Sequence, residues 1–576
     1  MPRLSVPPNF IGTGGADTLI GEQLNASPAI GIDILTGGYI RTLSGIDTIT
    51  GIATGNNGPE QSSDGASGTG IANSGAIDAG LGNDAIAGTG NGGSGSGGLN
   101  DSGNGGTGTG IANSGGINAG SGNDTITGTA TGGGGGGGSQ GGDGGTGIGI
   151  ANSGTINAGD GNDAIAGTAT GGTGGGGYVG GNGGTGTGIT NNGSINTGSG
   201  KDTITGTGKG GDGGRDGGGS GTGTGITNSK QLDTGDGEDT ITGTGTGGSG
   251  AAGNGGRNGA TGIGIANSGS INTGSGKDTI TGTGTGGNGG EGFFKGGDGG
   301  TGTGITNSKK LDTGDGEDTI TGTGTGGNGG KKDNIDQDGN GANGGTGTGI
   351  TNSGSLNTGD ANDTITGTGN GGNSGTSTGG IGNGGNGIGI QNTKDATITT
   401  GYGNDTIIGY GNSSGKNATS YGIFNDGVID TGNGSDKLTG QATAAIGGTA
   451  YGIYGQGIIK TGDGNDSVIA TSILDGVQQK VSIGGGIKID LGTGNDYFKG
   501  FGAASVDGGK GFDTLDLGAF NRSQVIVSGV ISGNTLESAN ISFNNNGNTI
   551  SFSTTGFEKF IFADSSFYYS TLANGA

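Results

Sequence analysis

The 576-residue chain contains no cysteine, no histidine and no tryptophan. Without Cys or His there is no ordinary zinc, copper, haem or iron–sulfur site, and no Ser-His-Asp or Cys-His nucleophile. Disulfides are likewise excluded, so cysteine usage says nothing about redox compartment. Positive charge is scarce: 23 Lys and Arg stand against 48 Asp and Glu, a net charge of −25. That balance argues against a nucleic-acid partner, whose phosphates would be repelled. No stretch is long enough to span a bilayer, so membrane insertion is not expected. The N-terminal MPRLSVPPNFIGTGG has no apolar run of the cleavable-signal kind, which directs the expectation to an export route that does not read the N-terminus. Hydrophobic residues make up 25% of the chain and aromatics 4%, too little for an ordinary globular core of this length.

What is abundant is glycine, 169 residues, a composition typical of low-complexity, disordered chains. A strict internal period argues against that reading. Aspartates in the motif G-x-G-x-D recur as Asp84, Asp124, Asp163, Asp202, Asp239, Asp278, Asp318, Asp363 and Asp405, at intervals of 37–45 residues, and then as Asp436, Asp466 and Asp496 at intervals of 30 or 31. A fixed phase with a variable remainder marks a repeat architecture with insertions on one face. Each unit carries three short apolar anchors. In successive units these are Ile189, Ile226 and Ile265; Ile195, Leu232 and Ile271; and Ile204, Ile241 and Ile280. Thr-Ile-Thr alternation around them reads as strand, and no spacing suits an amphipathic helix.

Three brief strands per unit, each too short to pair alone, must stack coil upon coil in parallel, about 4.8 Å apart. The fold class expected is therefore all-β: a parallel β-solenoid of the β-roll or β-helix kind. Its isoleucines form three internal columns. All five prolines lie at or before Pro59, as suits a body whose backbone N–H groups are needed for ladders. The Asn of ANSG or TNSG, as Asn113, Asn152, Asn191, Asn228, Asn267, Asn307 and Asn352, is expected to build a turn ladder through its amide. Glycine tracts such as TGGGGGGGSQGGDGG bear the length variation. They read either as flexible loops or as extended three-fold helices lying side by side, since Gly-Gly-x permits close backbone approach.

Stacking aligns Lys201, Glu238, Lys277 and Glu317 with alternating sign, which predicts an ion-paired ladder. The motif aspartates all carry one sign. Two such charges about 5 Å apart repel by about 1 kcal/mol even in water, and a hard divalent cation between coils would relieve that repulsion.

GDGNDAIAG (159–167), GDGNDSVIA (462–470), TGNDYFKGF (493–501) and GGADTLIG (14–21) resemble the calcium-binding nonapeptide of the RTX, or repeat-in-toxin, family. The resemblance implies calcium held by aspartate side chains and turn carbonyls of successive coils. Carried across residue by residue, it makes ligand candidates of the twelve motif aspartates named above. A second acidic position adds Asp160, Asp236, Asp315, Asp360 and Asp463. The sequence departs from the family in carrying one motif per long coil rather than tandem nonapeptides, and in replacing a glycine by Ala361 in DAND.

The final eighty residues hold 13 of the chain's 24 Phe and Tyr and read as alternating strands, an aromatic β cap closing the solenoid end. This stretch is similar to C-terminal regions of cyanobacterial RTX-type proteins exported by type I secretion. The organisation expected is an N-terminal cap with degenerate repeats (1–65), a solenoid with glycine-rich insertions (66–415), compact coils (416–505) and the C-terminal cap and secretion region (506–576).

The function expected is that of a secreted, extracellular, non-enzymatic structural protein. It would be a calcium-stiffened rod forming a surface layer, sheath or fibre, as in calcium-binding sheath proteins of gliding filamentous cyanobacteria. Its partners would be other copies of itself, the type I exporter and, as a candidate, a cell-surface polysaccharide. The alternative is an adhesin or ice-binding rod using the Thr125, Thr203, Thr240, Thr279 and Thr319 file. An RTX-type toxin or secreted enzyme fits less well, because the carboxylates are spread regularly rather than gathered in one cleft.

Overall fold

A computed structural model describes residues 2–332, 341–377, 380–528, 538–545 and 547–573. One coil serves for all. In it β1 (Gly223–Asn228), β2 (Gln231–Asp233) and β3 (Thr240–Thr246) follow one another around the rod. The next coil repeats them as β4 (Gly262–Asn267), β5 (Ser270–Asn272) and β6 (Thr279–Thr285). Pairing is parallel and in phase: Ile226 lies on Ile265, Leu232 on Ile271 and Ile241 on Ile280. The chain is a parallel β-solenoid, with two long sheets built from these strand types. Stacking already holds at Leu4–Val6, which pairs with Ala29–Ile34, and at Thr18–Ala26, which pairs with Thr48–Gly55.

The three isoleucine columns form the core. Ile226, Leu232 and Ile241 are fully buried, as are their counterparts in successive coils. Alternation along β3 sends Ile241 inward while Thr240 and Thr242 face out. A narrow core is sufficient because each side chain is covered by its own kind above and below, so few apolar residues per coil are needed.

The asparagine ladder forms at the corner between β1 and β2. Asn191 Nδ2 donates to Asn228 Oδ1 at 2.8 Å, and Asn228 Nδ2 donates to Asn267 Oδ1 and to the Ser270 carbonyl, each at 2.9 Å. The file runs from Asn73 to Asn425. Asn228→Ala removes the ladder bond on each side, leaving Asn191 Nδ2 only the Gln231 carbonyl and Asn267 Oδ1 only the Gly269 N–H. Urea unfolding should show a loss of about 1–3 kcal/mol.

The glycine tracts are ordered, as the second reading of the sequence has it. Among the described residues, the insertions run as extended legs that stack on the legs of neighbouring coils, forming a thin fin. Successive donors point in three directions, the mark of a three-fold extended helix. Gly132 and Gly135 donate along the stack to the Thr170 and Thr173 carbonyls, at 2.9 Å each. Gly133 and Gly136 donate across to the Gly106 and Gly103 carbonyls, at 2.9 and 2.8 Å. The third donor finds a side chain: Asp143 N bonds Asn104 Oδ1 and Asn182 N bonds Asp143 Oδ1, at 2.8 and 2.7 Å. Asn or Asp at the x of Gly-Gly-x thus satisfies the backbone N–H that the glycines leave over. Residues 333–340, in one insertion, lie outside the described residues. After residue 415 the insertion shrinks to a short turn, as between Lys437–Ala444 and Thr449–Tyr454.

At the C-terminal end the stacking becomes antiparallel. Ser538–Asn545 pairs with Asn548–Thr555, which itself lies parallel to Gly502–Asp507. Lys559–Phe562 lies parallel to Thr514–Leu517 and antiparallel to Ser566–Tyr568. Phe498, Phe501, Phe520, Phe552, Phe557 and Phe560 are buried beneath them. Hairpins folded over an aromatic layer occupy the last coil's open edge. Residues 529–537, 546 and 574–576 of this region lie outside the described residues.

Candidate metal centre

The turn from β2 to β3 carries the motif aspartates. It needs glycine at Gly237, where φ is +154° and the Gly200 carbonyl of the preceding coil lies 1.5 Å from where a β-carbon would stand. Asp239 Oδ1 is 3.3 Å from the same point. The Gly200 carbonyl oxygen thus occupies the space that a side chain would take, and it lies near Asp239 Oδ1, the oxygen that already accepts from the Asp202 N–H. Gly316 repeats it, with the Gly276 carbonyl at 1.4 Å and Asp318 Oδ1 at 3.3 Å.

All twelve motif aspartates fall on one file and are 0–3% exposed. The backbone N–H of each donates to Oδ1 of the aspartate one coil on, at 2.7–2.8 Å. The other oxygen, Oδ2, is buried with no hydrogen-bond partner in every one of the twelve. Such an atom is costly to leave unmatched, more so when ionised.

Burial therefore drives these carboxyls up from the usual carboxylate range. Asp239, Asp363 and Asp496 rise to about 7, and Asp84, Asp163, Asp318, Asp405 and Asp466 to about 6. Asp124, Asp202, Asp278 and Asp436 move in the same direction. Desolvation is the largest cause. The amide bond from the neighbouring coil opposes it, as does a nearby threonine hydroxyl at eight of the twelve, the larger of the two at Asp318, Asp363 and Asp436. At the eight highest the adjacent carboxylates add to the rise.

The file is longer than the motif indicates. Asp17 N bonds Asp47 Oδ1, Asp47 N bonds Asp84 Oδ1, and Asp496 N bonds Asp513 Oδ1, at 2.7–2.8 Å. Asp513 N in turn bonds Glu558 Oε2 at 2.5 Å. Asp17 and Asp47 escape the pattern because GGAD and SGID lack its full glycine spacing. Asp513 does sit in a G-x-G-x-D (GKGFD), only 17 residues after Asp496 rather than 30.

The second acidic positions lie on the outside of the same turn. Asp160, Asp236, Asp315, Asp360 and Asp463 are not buried with the motif file. Hydroxyls of the next coil reach some of them: Ser199 to Asp160 at 3.3 Å, Ser275 to Asp236 at 2.6 Å and Thr493 to Asp463 at 2.7 Å. Asp160, Asp315, Asp360 and Asp463 are near enough to raise Asp163, Asp318, Asp405 and Asp466 respectively. The ion-pair ladder forms as separate rungs, Lys201–Glu238 and Lys277–Glu317, both at 3.2 Å and well exposed. Each is worth about 0–1 kcal/mol.

The donor types fit a hard cation: oxygen only, with one orphaned buried carboxylate oxygen, Oδ2, per coil, and glycine-turn carbonyls in the same turn. Among the described residues no three Asp or Glu side chains converge on one point, so the remaining ligands would be backbone carbonyls.

No helix of the described residues is long and apolar enough to cross a membrane. No protein-family model matches the chain, and no curated protein matches it. The RTX resemblance accordingly rests on the turn motif. Among solved structures, the chain is similar to a hyperactive, Ca2+-dependent, β-helical antifreeze protein from an Antarctic bacterium, at 13% identity and a TM-score of 0.30, over 97% of this chain and 94% of that one.

Proposed function

We propose that this chain is an extracellular, non-enzymatic structural protein: a calcium-stiffened rod that assembles with its own copies into a surface layer, sheath or fibre. The observation that carries the reading is the file of buried, unpartnered Asp Oδ2 atoms, one in each coil. Calcium would be held by Asp84, Asp124, Asp163, Asp202, Asp239, Asp278, Asp318, Asp363, Asp405, Asp436, Asp466 and Asp496 with carbonyls of the glycine turn. Asp160, Asp236, Asp315, Asp360 and Asp463 would contribute from the outer side. Bound there, the ion supplies positive charge to a line of like-charged carboxylates and so joins each coil to the next. Export by a type I system and contact with a cell-surface polysaccharide belong to the same proposal.

Circular dichroism and light scattering of the purified chain, with calcium and with chelator, test it. Calcium should raise the melting temperature and increase the particle size. Identical β-signal, melting and size in chelator would discard calcium stiffening and leave the solenoid standing.

One observation favours a second reading, as an adhesin or ice-binding rod. Thr203, Thr240, Thr279 and Thr319 stack in register on the outer face, with Thr125 cut off from them by Ala164, and such a regular hydroxyl file suits an ordered water lattice. Thermal hysteresis at micromolar protein would establish that reading, and its absence would remove the ice-binding form.

A further inference from the structure

The strand β2 forms the narrow side of each coil, and the two corners that bound it carry opposite charge. At the asparagine corner stand Lys230 and, two coils on, Lys309, both exposed. Neither has a carboxylate partner among the described residues, whereas the adjacent Lys310 pairs with Asp312 at 2.7 Å. Together they line a shallow open cavity of about 620 Å3 with Asn192, Ser229 and Ser270. At the opposite corner stand Asp236 and, two coils on, Asp315, exposed and without a cationic partner among the described residues. The intervening coil is neutral at the first corner (Gly269) and carries Ser275 and the paired Lys277 at the second.

Across these three coils both corners therefore present uncompensated charge at the first and the third, about 10 Å apart at the ordinary strand spacing; beyond them the negative corner continues, with Asp160 two coils before Asp236 and Asp360 one coil after Asp315. The spacing is common to both because the same backbone stack sets it. Two lysines and two aspartates at one spacing, side by side on one molecule, are complementary to the same face of another copy.

We propose that this face pairs two copies of the chain side by side, rods parallel and coils in register. The direction follows from the charges. Rotating a copy about an axis parallel to the rod lays each lysine corner over the partner's aspartate corner, whereas rotating it about an axis perpendicular to the rod, within the face, sets lysine against lysine. The parallel pair sets Lys230 against Asp236 and Lys309 against Asp315 in both senses, a closed two-fold contact. The occupant is a second copy rather than a generic anion because only a rod of this period meets both lysines at once. The inference deepens the assembly reading by naming its lateral face; head-to-tail growth through the rod ends does not depend on it.

Sedimentation velocity of the full chain, with calcium held constant, tests the contact. A dimer is expected at 50 mM NaCl, with the association constant falling at least about tenfold by 500 mM, since exposed pairs are screened over that range. Lys230→Glu with Lys309→Glu should leave a monomer with unchanged circular dichroism. Because Asp236 and Asp315 are also offered to calcium, Asp236→Lys with Asp315→Lys is compared with the wild type in chelator, where it too should be monomeric with unchanged circular dichroism, and mixing the two variants there should restore a heterodimer. Rods labelled at an introduced Ser5→Cys, seven coils before the middle of the contact, with donor and acceptor dyes should show strong energy transfer in the dimer, whereas antiparallel rods centred on the same coils would hold the dyes about 67 Å apart along the rod. A monomer at low salt, a salt-insensitive dimer, a mixture that fails to pair, or weak transfer indicating antiparallel rods would each overturn the proposal. Salt-insensitive growth in length that persists in both double variants would leave end-to-end assembly in place while removing this face.

Discussion

In chelator, the melting temperature of this protein should fall as the pH rises from 5 to 8, and added calcium should cancel that fall. Eight of the motif aspartates, near 3.9 in an unfolded chain, titrate at about 6 to 7 in the folded rod, and Asp124, Asp202, Asp278 and Asp436 are raised as well. Between those values the native state binds more protons than the unfolded state, so stability decreases with rising pH. The contribution is complete below about pH 4 and is lost by the time the pH passes the folded values. Each tenfold difference in proton affinity between the folded and unfolded chain corresponds to about 1.4 kcal/mol per group, and because neighbours in the file interact the sum is less than additive. A loss of about 5 kcal/mol over the whole file would lower the melting temperature by about 4 °C, at about 2.1 cal/mol/K of unfolding entropy per residue.

Calcium reverses the sign because it binds the ionised carboxylates and competes with protons. The gap between the calcium and chelator melting curves should therefore widen steadily from pH 5 to pH 8. Asp239→Asn separates the two effects. The amide keeps an oxygen for the Asp202 N–H, which bonds Asp239 Oδ1 at 2.8 Å, but removes a buried charge. It should raise the melting temperature in chelator at pH 8 and reduce the increment that calcium gives. A gap that stays constant with pH, or an Asn variant that shifts both curves alike, would show that the buried carboxylates are not where calcium acts.

The isoleucine columns and the asparagine ladder were readable from the sequence because they depend on phase alone. Once Ile226 and Ile265 occupy the same place in consecutive repeats, parallel stacking puts one on the other. The motif aspartates were readable as a file for the same reason. Their orientation was not: nothing in G-x-G-x-D reveals that one oxygen is taken by the amide of the preceding coil and the other turned into the protein. Asp17, Asp47 and Asp513 needed the stack itself, since broken glycine spacing or a short final repeat hides them. The glycine tracts were ambiguous because a linker and a close-packed helix array share one composition. The signal that separates them is finer: Asn104, Asp143 and Asn182 recur one coil apart at the single position of three where a side chain fits. The separate Lys–Glu rungs show the converse, a pattern of letters that fixes which residues are neighbours but not which of two neighbours a flexible side chain chooses.

Gly133→Ala should disrupt the fin, and Gly134→Ala, one residue away, should not. A β-carbon on Gly133 would stand 1.9 Å from the Gly93 carbonyl oxygen and 2.5 Å from its carbon. Both are backbone atoms of the neighbouring coil, themselves fixed by hydrogen bonds, so relief requires the coils to separate. Overpacking that a core can absorb costs about 1–3 kcal/mol, and more where the backbone must move; here the loss should be at the upper end or beyond. On Gly134 the nearest atom to an added β-carbon is 3.6 Å away, an ordinary contact. Substitution there should be neutral or stabilising by about 0.4–1 kcal/mol, because the unfolded chain has less freedom to lose. Hydrogen exchange of the amides in 132–146 is the direct readout: protection should drop sharply in the first variant and persist in the second. Equal protection in both would mean that the tracts do not hold the packed three-fold arrangement in solution. The contrast is decisive because the two substitutions are identical in composition and propensity, and differ only in which of three directions the new methyl group points.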